Sequence, residues 1–119
     1  MHRLVQIVRF ESARRLTKVP KEHPCSNLYG LAFRLEIHVE GEINPKTGFV
    51  IDFSKIESHF EPIKKKIDHN YLNDIEGLEN PTSEVLVKWI WENLKPEVVD
   101  LVKLILWEND AARVEYSGN

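Results

Sequence analysis

Apolar and polar residues alternate in two segments near the N-terminus, and both segments predict β-strands. In "RLVQIVRF", residues 3–10, apolar side chains fall on both faces, so we expect both faces to be covered. In "FRLEIHVEGEI", residues 33–43, one face is apolar and the other is charged or polar, which is typical of a strand between core and water. The turn signal "NPKTG" and the short run "FVIDF", residues 49–53, then predict a hairpin with a third strand. The expected core positions of the second strand are Phe33, Leu35, Ile37 and Val39.

Two segments carry apolar residues at three- and four-residue steps, which predicts two amphipathic helices. The first covers residues 52–68, with Asp52 as the N-cap and a kink or interruption expected at Pro62. The second lies in the segment that begins with "NPTSE", residues 80–95, with Thr82 as the N-cap. The expected buried stripes are Phe53, Ile56, Phe60, Ile63 and Ile67 in the first helix, and Val85, Leu86, Trp89, Ile90 and Leu94 in the second.

The C-terminal segments "LVKLILWEN" and "ARVEYS" predict two more strands. The predicted order is β, β, β, α, α, β, β with antiparallel hairpins, which is an α+β fold in a single domain of residues 1–119. Leu101–Trp107 carries apolar residues on both faces, whereas a strand face in water would carry more charge. A large interface is one explanation, and a further protein partner on this strand is another.

Composition narrows the classes of function. The formal charge of −3 and a pI near 5.9 argue against a protein that binds nucleic acid through its phosphate backbone, because such proteins need a net basic face. The sequence contains no long apolar run and no apolar leader, so we expect no membrane association and a cytoplasmic location. A single cysteine, Cys25, cannot form an internal disulfide or a cysteine zinc site.

The five histidines are scattered, and no pair has the spacing that would direct two imidazoles at one metal ion. We therefore interpret His2, His38 and His59 as surface residues. Asp68 and His69 are adjacent at a predicted helix end, where a carboxylate can orient an imidazole for proton transfer. The alternative is a histidine that only balances the helix dipole.

Two further residues leave alternatives open. Cys25 is either inert filler or a reactive thiol. Glu108, at the end of an apolar strand, is either a carboxylate that binds a guanidine-like ligand edge or a strand-end charge in water.

Several motifs occur together in one order and spacing: "FESARRL", "HPC", "GFVIDF", "IDHNYLND", "LENPTSEVLVKWIW" and "WEN". With them the chain resembles bacterial and archaeal 6-carboxytetrahydropterin synthases, relatives of 6-pyruvoyltetrahydropterin synthase, over nearly its full length. The resemblance implies the tunnelling fold, in which a four-stranded antiparallel sheet carries two helices on one face. It also implies a homo-oligomer, because such sheets assemble into a trimeric strand barrel that is often doubled to a hexamer.

The resemblance also implies a chemistry. Members of this family convert 7,8-dihydroneopterin triphosphate with a zinc ion held by three histidines. On this chain the family's proton-transfer set corresponds to Cys25, Asp68 and His69. The glutamate that holds the amino-pyrimidinone edge of the pterin corresponds to Glu108.

The three zinc positions depart from the family pattern. The family's "AHRL" is "ARRL" here and its "HGH" is "YGL", so Arg14, Tyr29 and Leu31 stand where the histidines belong. A guanidinium and an isobutyl group offer no lone pair to a metal, and a single tyrosinate makes a poor zinc site. We therefore expect no zinc and no other cofactor.

These observations give three hypotheses. The first is an oligomeric scaffold whose zinc chemistry is lost, either a natural pseudoenzyme that still binds a pterin through Glu108 or an engineered assembly component. The second is an active lyase of a pterin or queuosine pathway that has no metal or relocated ligands such as His23 and His69. The third is a pure assembly component that uses Leu101–Trp107 as its interface.

Overall fold

The computed structural model describes residues 1–119 and contains two helices packed on one five-stranded sheet. The α+β prediction is confirmed, and the sheet is mostly antiparallel, with five strands instead of four. Short 3-10 turns lie at Pro24–Ser26 and Leu72–Asp74. The elements are β1 (His2–Arg14), β2 (Tyr29–Gly41), α1 (Phe53–Ile67), β3 (Asn70–Tyr71), α2 (Ser83–Leu94), β4 (Leu101–Trp107) and β5 (Arg113–Tyr116).

The strand order in the sheet is β3-β1-β2-β4-β5. β1 and β2 pair antiparallel over their whole length, from His2 opposite Gly41 to Arg14 opposite Tyr29. β3 lies parallel to β1 and pairs with it only at Ser12 and Ala13. Most of the outer edge of β1 therefore has no strand beside it.

The strand predicted at residues 49–53 does not form. The turn before it does: the N–H of Asn44 donates to the carbonyl of Phe49 (2.8 Å), and Gly48 takes a φ of 79° that glycine tolerates without strain. Asp52 then caps α1 by accepting from the N–H of Ser54 (2.9 Å). Because the helix starts at Phe53, too little chain remains between turn and cap for a paired strand.

Helix α1 runs without interruption through Pro62, so the predicted break does not occur. Pro62 faces solvent, where water can satisfy the carbonyl group that the proline leaves without its helical donor. Four predicted core residues are buried, and Phe53 in the first turn is not, with 48% of its surface exposed. The buried four are Ile56, Phe60, Ile63 and Ile67.

Helix α2 begins at the predicted cap, where the hydroxyl of Thr82 accepts from the N–H of Val85. Its buried stripe is centred on Leu86, Ile90 and Leu94, at four-residue steps, as predicted. Val87 takes the flanking core position that we expected for Val85, which is exposed. Trp89, also expected in the stripe, is half-buried beside it. Neither helix of this fold is long and apolar enough to cross a membrane.

The core lies between the sheet and the two helices and includes a cluster of stacked aromatic rings. Phe10 and Phe33 stack at 5.0 Å between ring centroids, and Phe60 of α1 packs on Phe10 at 6.2 Å. Such pairs stabilise a fold by about 0.5–1.5 kcal/mol beyond the area that they bury. This cluster holds the C-terminal half of β1 and the N-terminal half of β2 against α1.

Strand β4 is an interior strand, between β2 and β5. Leu101, Leu104, Ile105 and Leu106 are all buried by the chain itself. A register shift opposite His38 and Val39 lets both Leu101 and Leu104 face the core. Burial within the chain therefore accounts for most of the apolar character of Leu101–Trp107, without any external partner.

Candidate functional site

Arg14, the last residue of β1, is the most heavily bonded side chain of the candidate site. The register places it opposite Tyr29, and only 4% of its side chain is exposed. Its Nε donates to the hydroxyl of Tyr29 (2.9 Å), and Nη2 forms an ion pair with the Glu108 carboxylate. Its Nη1 donates to the carbonyl of Pro81 and the hydroxyl of Ser83, both at 3.1 Å. Four of the five N–H donors of the guanidinium are thus engaged.

Aromatic rings complete this environment. The guanidinium carbon of Arg14 lies 5.3 Å from the ring centroid of Tyr29 and 5.5 Å from that of Phe33. Both distances are within the range of cation–π attraction. We call Arg14, Cys25, Tyr29, Pro81, Ser83 and Glu108 the Arg14 cluster.

Tyr29 connects Arg14 to the single thiol. Burial raises the pKa of the Tyr29 phenol, and its hydrogen bond with Cys25 raises it further, against an opposing effect of Arg14. The phenol therefore stays protonated at neutral pH. Cys25 is half-buried in the Pro24–Ser26 turn, where its N–H donates to Nδ1 of His23 (3.0 Å). Cys25 therefore lies near enough to Tyr29, one of the predicted zinc positions, to affect the pKa of its phenol.

Glu108 follows β4 directly and begins the turn to β5, where its N–H donates to the carbonyl of Ala112 (3.0 Å). About 28% of its side chain is exposed. We predicted that this carboxylate is either a ligand anchor or a solvated strand end. In the structure one of its oxygens accepts from Arg14, and the side chain remains partly exposed.

Asp68 and His69, the helix-end pair, lie where α1 meets the edge of β1. Oδ1 of Asp68 accepts from the N–H of Glu11 (2.9 Å) and lies 3.1 Å from Nδ1 of His69. The hydrogen bond from Glu11 lowers the pKa of Asp68, partial burial opposes it, and His69 lowers the pKa further, so the net shift is downward. The predicted contact between carboxylate and imidazole is present.

His69 itself is the only residue other than glycine with a positive φ, 57°. Its side chain is 74% exposed, and Nε2 lies 3.5 Å from a carboxylate oxygen of Glu11. It borders an open groove of about 530 Å³ that also contacts Arg9, Arg34 and Trp107. The His69 imidazole is thus accessible at the surface beside this groove.

Within one chain the predicted proton-transfer set is divided. Cys25 belongs to the Arg14 cluster, whereas Asp68 and His69 bond to Glu11 and to each other. No hydrogen bond or ion pair joins Cys25 to either of them.

The residues at the predicted ligand positions do not fit a zinc ion. Arg14 presents only donors, Leu31 packs half-buried against the core, and Tyr29 accepts from Arg14. No group of three or more His, Cys, Asp or Glu side chains is arranged to hold a metal ion. The relocated ligands that we considered, His23 and His69, belong to no such group.

Sequence reasoning missed Pro81 and Ser83 as partners of Arg14. The only signal was indirect: a buried arginine needs several acceptors, and "NPTSE" supplies a carbonyl and a hydroxyl beside the start of α2.

Sequence reasoning also missed a cluster on the outer sheet face, where Glu36 accepts from Nε1 of Trp107 (2.6 Å) and contacts Nε2 of His38 (2.9 Å). His38 is consequently buried, and our interpretation of it as a surface residue is wrong.

The fold closely matches that of a pterin enzyme. 6-Pyruvoyl tetrahydropterin synthase from Caenorhabditis elegans superposes with a TM-score of 0.92 at 25% sequence identity, covering 99% of this chain and 96% of that one. The sequence profile of the family described as 6-pyruvoyl tetrahydropterin synthase matches residues 3–119. The chain therefore belongs to the 6-pyruvoyl tetrahydropterin synthase family of pterin lyases.

Two relatives in sequence carry different enzyme names. The chain is 40% identical over 91 residues to 6-carboxy-5,6,7,8-tetrahydropterin synthase of Synechocystis, covering 72% of this chain and 69% of that protein. It is 42% identical over 91 residues to dihydroneopterin monophosphate aldolase of Pyrococcus furiosus, covering 74% and 76%. The similarity therefore extends to proteins named for different reactions on pterins.

Proposed function

We propose that this chain is an oligomeric member of the family that has lost the zinc-dependent lyase reaction on 7,8-dihydroneopterin triphosphate. The observation that carries the proposal is the position of Arg14. Its guanidinium stands at a family ligand position and is held by Tyr29, Ser83 and Glu108. A metal ion bound there would have to displace a buried cation that already has its own acceptors.

The guanidinium does not replace the metal chemically. A zinc ion acts as a Lewis acid with an open coordination position, whereas a guanidinium has no empty orbital for a substrate oxygen. Its remaining contribution would be hydrogen bonding, yet four of its five N–H donors already have partners. Arg14 therefore offers little to a developing oxyanion.

The oligomer is supported by family membership and by the sheet. Most of the β1 edge is unpaired, and Val5 and Ile7 of the same strand are 41% and 39% exposed. An open edge with exposed apolar side chains is typical of a surface that pairs with another copy. We expect a trimer or hexamer in light scattering, and a larger particle would instead favour an assembly component.

A three-residue reversion tests the proposed loss of zinc chemistry. The purified chain should contain far less than one zinc per subunit and should not turn over 7,8-dihydroneopterin triphosphate. The variant R14H/Y29H/L31H restores the family's three imidazoles and should gain zinc. Stoichiometric zinc with normal turnover in the unmodified chain would refute the proposal.

The second candidate is an active lyase that works without zinc. It is favoured by the enzyme names of the relatives and by the contacts of Cys25 with Tyr29 and of Asp68 with His69. Assembly of subunits would have to bring the two groups together. If the unmodified chain shows turnover, C25A should abolish it, and an unchanged rate would remove Cys25 from the mechanism.

A further inference from the structure

The surroundings of Arg14 form a site for a planar group with several N–H donors. The acceptors are the Glu108 carboxylate, the carbonyl of Pro81 and the hydroxyl of Ser83. The rings of Tyr29 and Phe33 lie within 5.5 Å of the guanidinium carbon. A carboxylate, neutral acceptors and aromatic rings together are the groups that recognise a guanidine-like ligand.

The occupant of that site is part of the same chain. Arg14 reaches it from the end of β1, and the carboxylate directly follows β4, which is separated from β1 in the sheet by β2. Because the side chain of Arg14 is only 4% exposed, little room remains for an external molecule between it and Glu108. None of Arg14, Cys25, Tyr29 and Glu108 lines the open groove beside His69 or the groove between β1 and α1.

We propose that Arg14 is an internal occupant of a guanidine-type ligand site, which keeps Glu108 from binding an external ligand. The ligand class excluded by this contact is a planar ring or cation with adjacent N–H donors, such as a guanidinium or a 2-aminopyrimidin-4-one. The inference rests on the proposed absence of zinc, because a metal held at position 14 would need a different residue there. It replaces our prediction that Glu108 anchors a pterin in the unmodified chain.

An ordinary structural ion pair is the alternative. It predicts that removing Arg14 destabilises the chain and nothing more. An occupied ligand site predicts in addition that removal opens a cavity with matched acceptors, which a small guanidinium compound can refill. Rescue by an added ligand therefore separates the two.

The experiment compares R14A with R14M, using methylguanidinium and 2-aminopyrimidin-4-one as probes. Both variants lose the charge, but only alanine leaves space, so R14A alone should show a melting temperature that rises by several degrees with either probe. The double variant R14A/E108Q should lose most of the rise in melting temperature, because it lacks the carboxylate that accepts from the probe. R15A, which changes the neighbouring exposed arginine, should respond as the unmodified chain does.

Several results would overturn the inference. One is a folded R14A that gains no stability from either probe, and another is an equal response of R14M. If R14A does not fold alone, its refolding yield with methylguanidinium takes the place of the melting temperature, and an unchanged yield counts against the site. In the unmodified chain, binding of 2-aminopyrimidin-4-one that E108Q abolishes would show that Glu108 is free. None of these readouts depends on zinc content, so this inference and the proposed function can fail separately.

Discussion

The Arg14 cluster and the helix-end pair both contain residues that the family resemblance assigns to chemistry. The two regions differ in how deeply their side chains are buried and in how many bonds those side chains form. Arg14 is buried and has partners on four N–H groups, whereas His69 is largely exposed and adopts a positive φ. Arg14 binds to groups from β2, α2 and the end of β4, while Asp68 and His69 bind only to Glu11 and each other. The comparison shows one region whose polar groups are buried and bonded within the fold, and another whose imidazole is exposed at the surface.

The largest effect should come from removing the Arg14 guanidinium. R14A leaves the partly buried Glu108 carboxylate and the Ser83 hydroxyl without their donor, so we expect a loss of about 2–4 kcal/mol in the free energy of unfolding. Urea denaturation measures it. R15A, at the exposed neighbour, should change stability by no more than about 0.5 kcal/mol. Equal, small effects of both substitutions would mean that the ion pair does not hold this region together.

A smaller effect is expected at Asp68. D68A removes the carboxylate at the end of α1 that accepts from the N–H of Glu11 in β1. This should lower the free energy of unfolding by about 1–2 kcal/mol at neutral pH. Because the pKa of Asp68 is lower in the folded chain than in the unfolded one, its stabilisation is complete above the unfolded value of about 4. It is lost as the pH falls through the lower, folded value. Unfolding curves of the two proteins should therefore converge in acid, and a constant difference across pH would contradict the shift.

The smallest effect is expected at His69. A φ of 57° is unfavourable for a residue with a Cβ atom, so H69G should stabilise the chain by about 0.5–1 kcal/mol. H69A is the matched control, because it removes the imidazole but keeps the strain. Thermal unfolding of both variants measures the difference. A loss of stability in H69G that H69A shares would indicate that the imidazole contacts with Asp68 and Glu11 outweigh the strain.

Much of the fold follows from local patterns in the sequence. The caps at Asp52 and Thr82 and the α+β class are found as predicted, and so is most of each buried stripe. The exceptions are Phe53 and Val85, which are exposed, and Trp89, which is half-buried. The strand at residues 49–53 was predicted from the turn signal "NPKTG" and the short run "FVIDF" after it. The turn forms, but the helix cap at Asp52 leaves no room for a paired strand. The two-residue β3 was not predicted, because its register depends on the edge of β1 and not on its own residues.

The candidate site could be predicted only in part. The contact between Asp68 and His69 is local in sequence and was expected. The partners of Arg14 lie 15 to 94 positions away along the chain, so no spacing rule could pair them. The sequence shows that Arg14 replaces a zinc-binding histidine of the family. It does not show which groups Arg14 bonds, because those bonds depend on how β1, α2 and β4 pack.

The most direct test of the account is a crystal structure of the unmodified chain grown with zinc and recorded at the zinc absorption edge. We predict the guanidinium of Arg14 bonded to Glu108 and Tyr29, with no anomalous peak among residues 14, 29 and 31. An anomalous peak between those three side chains, with Arg14 turned away from Glu108, would contradict it.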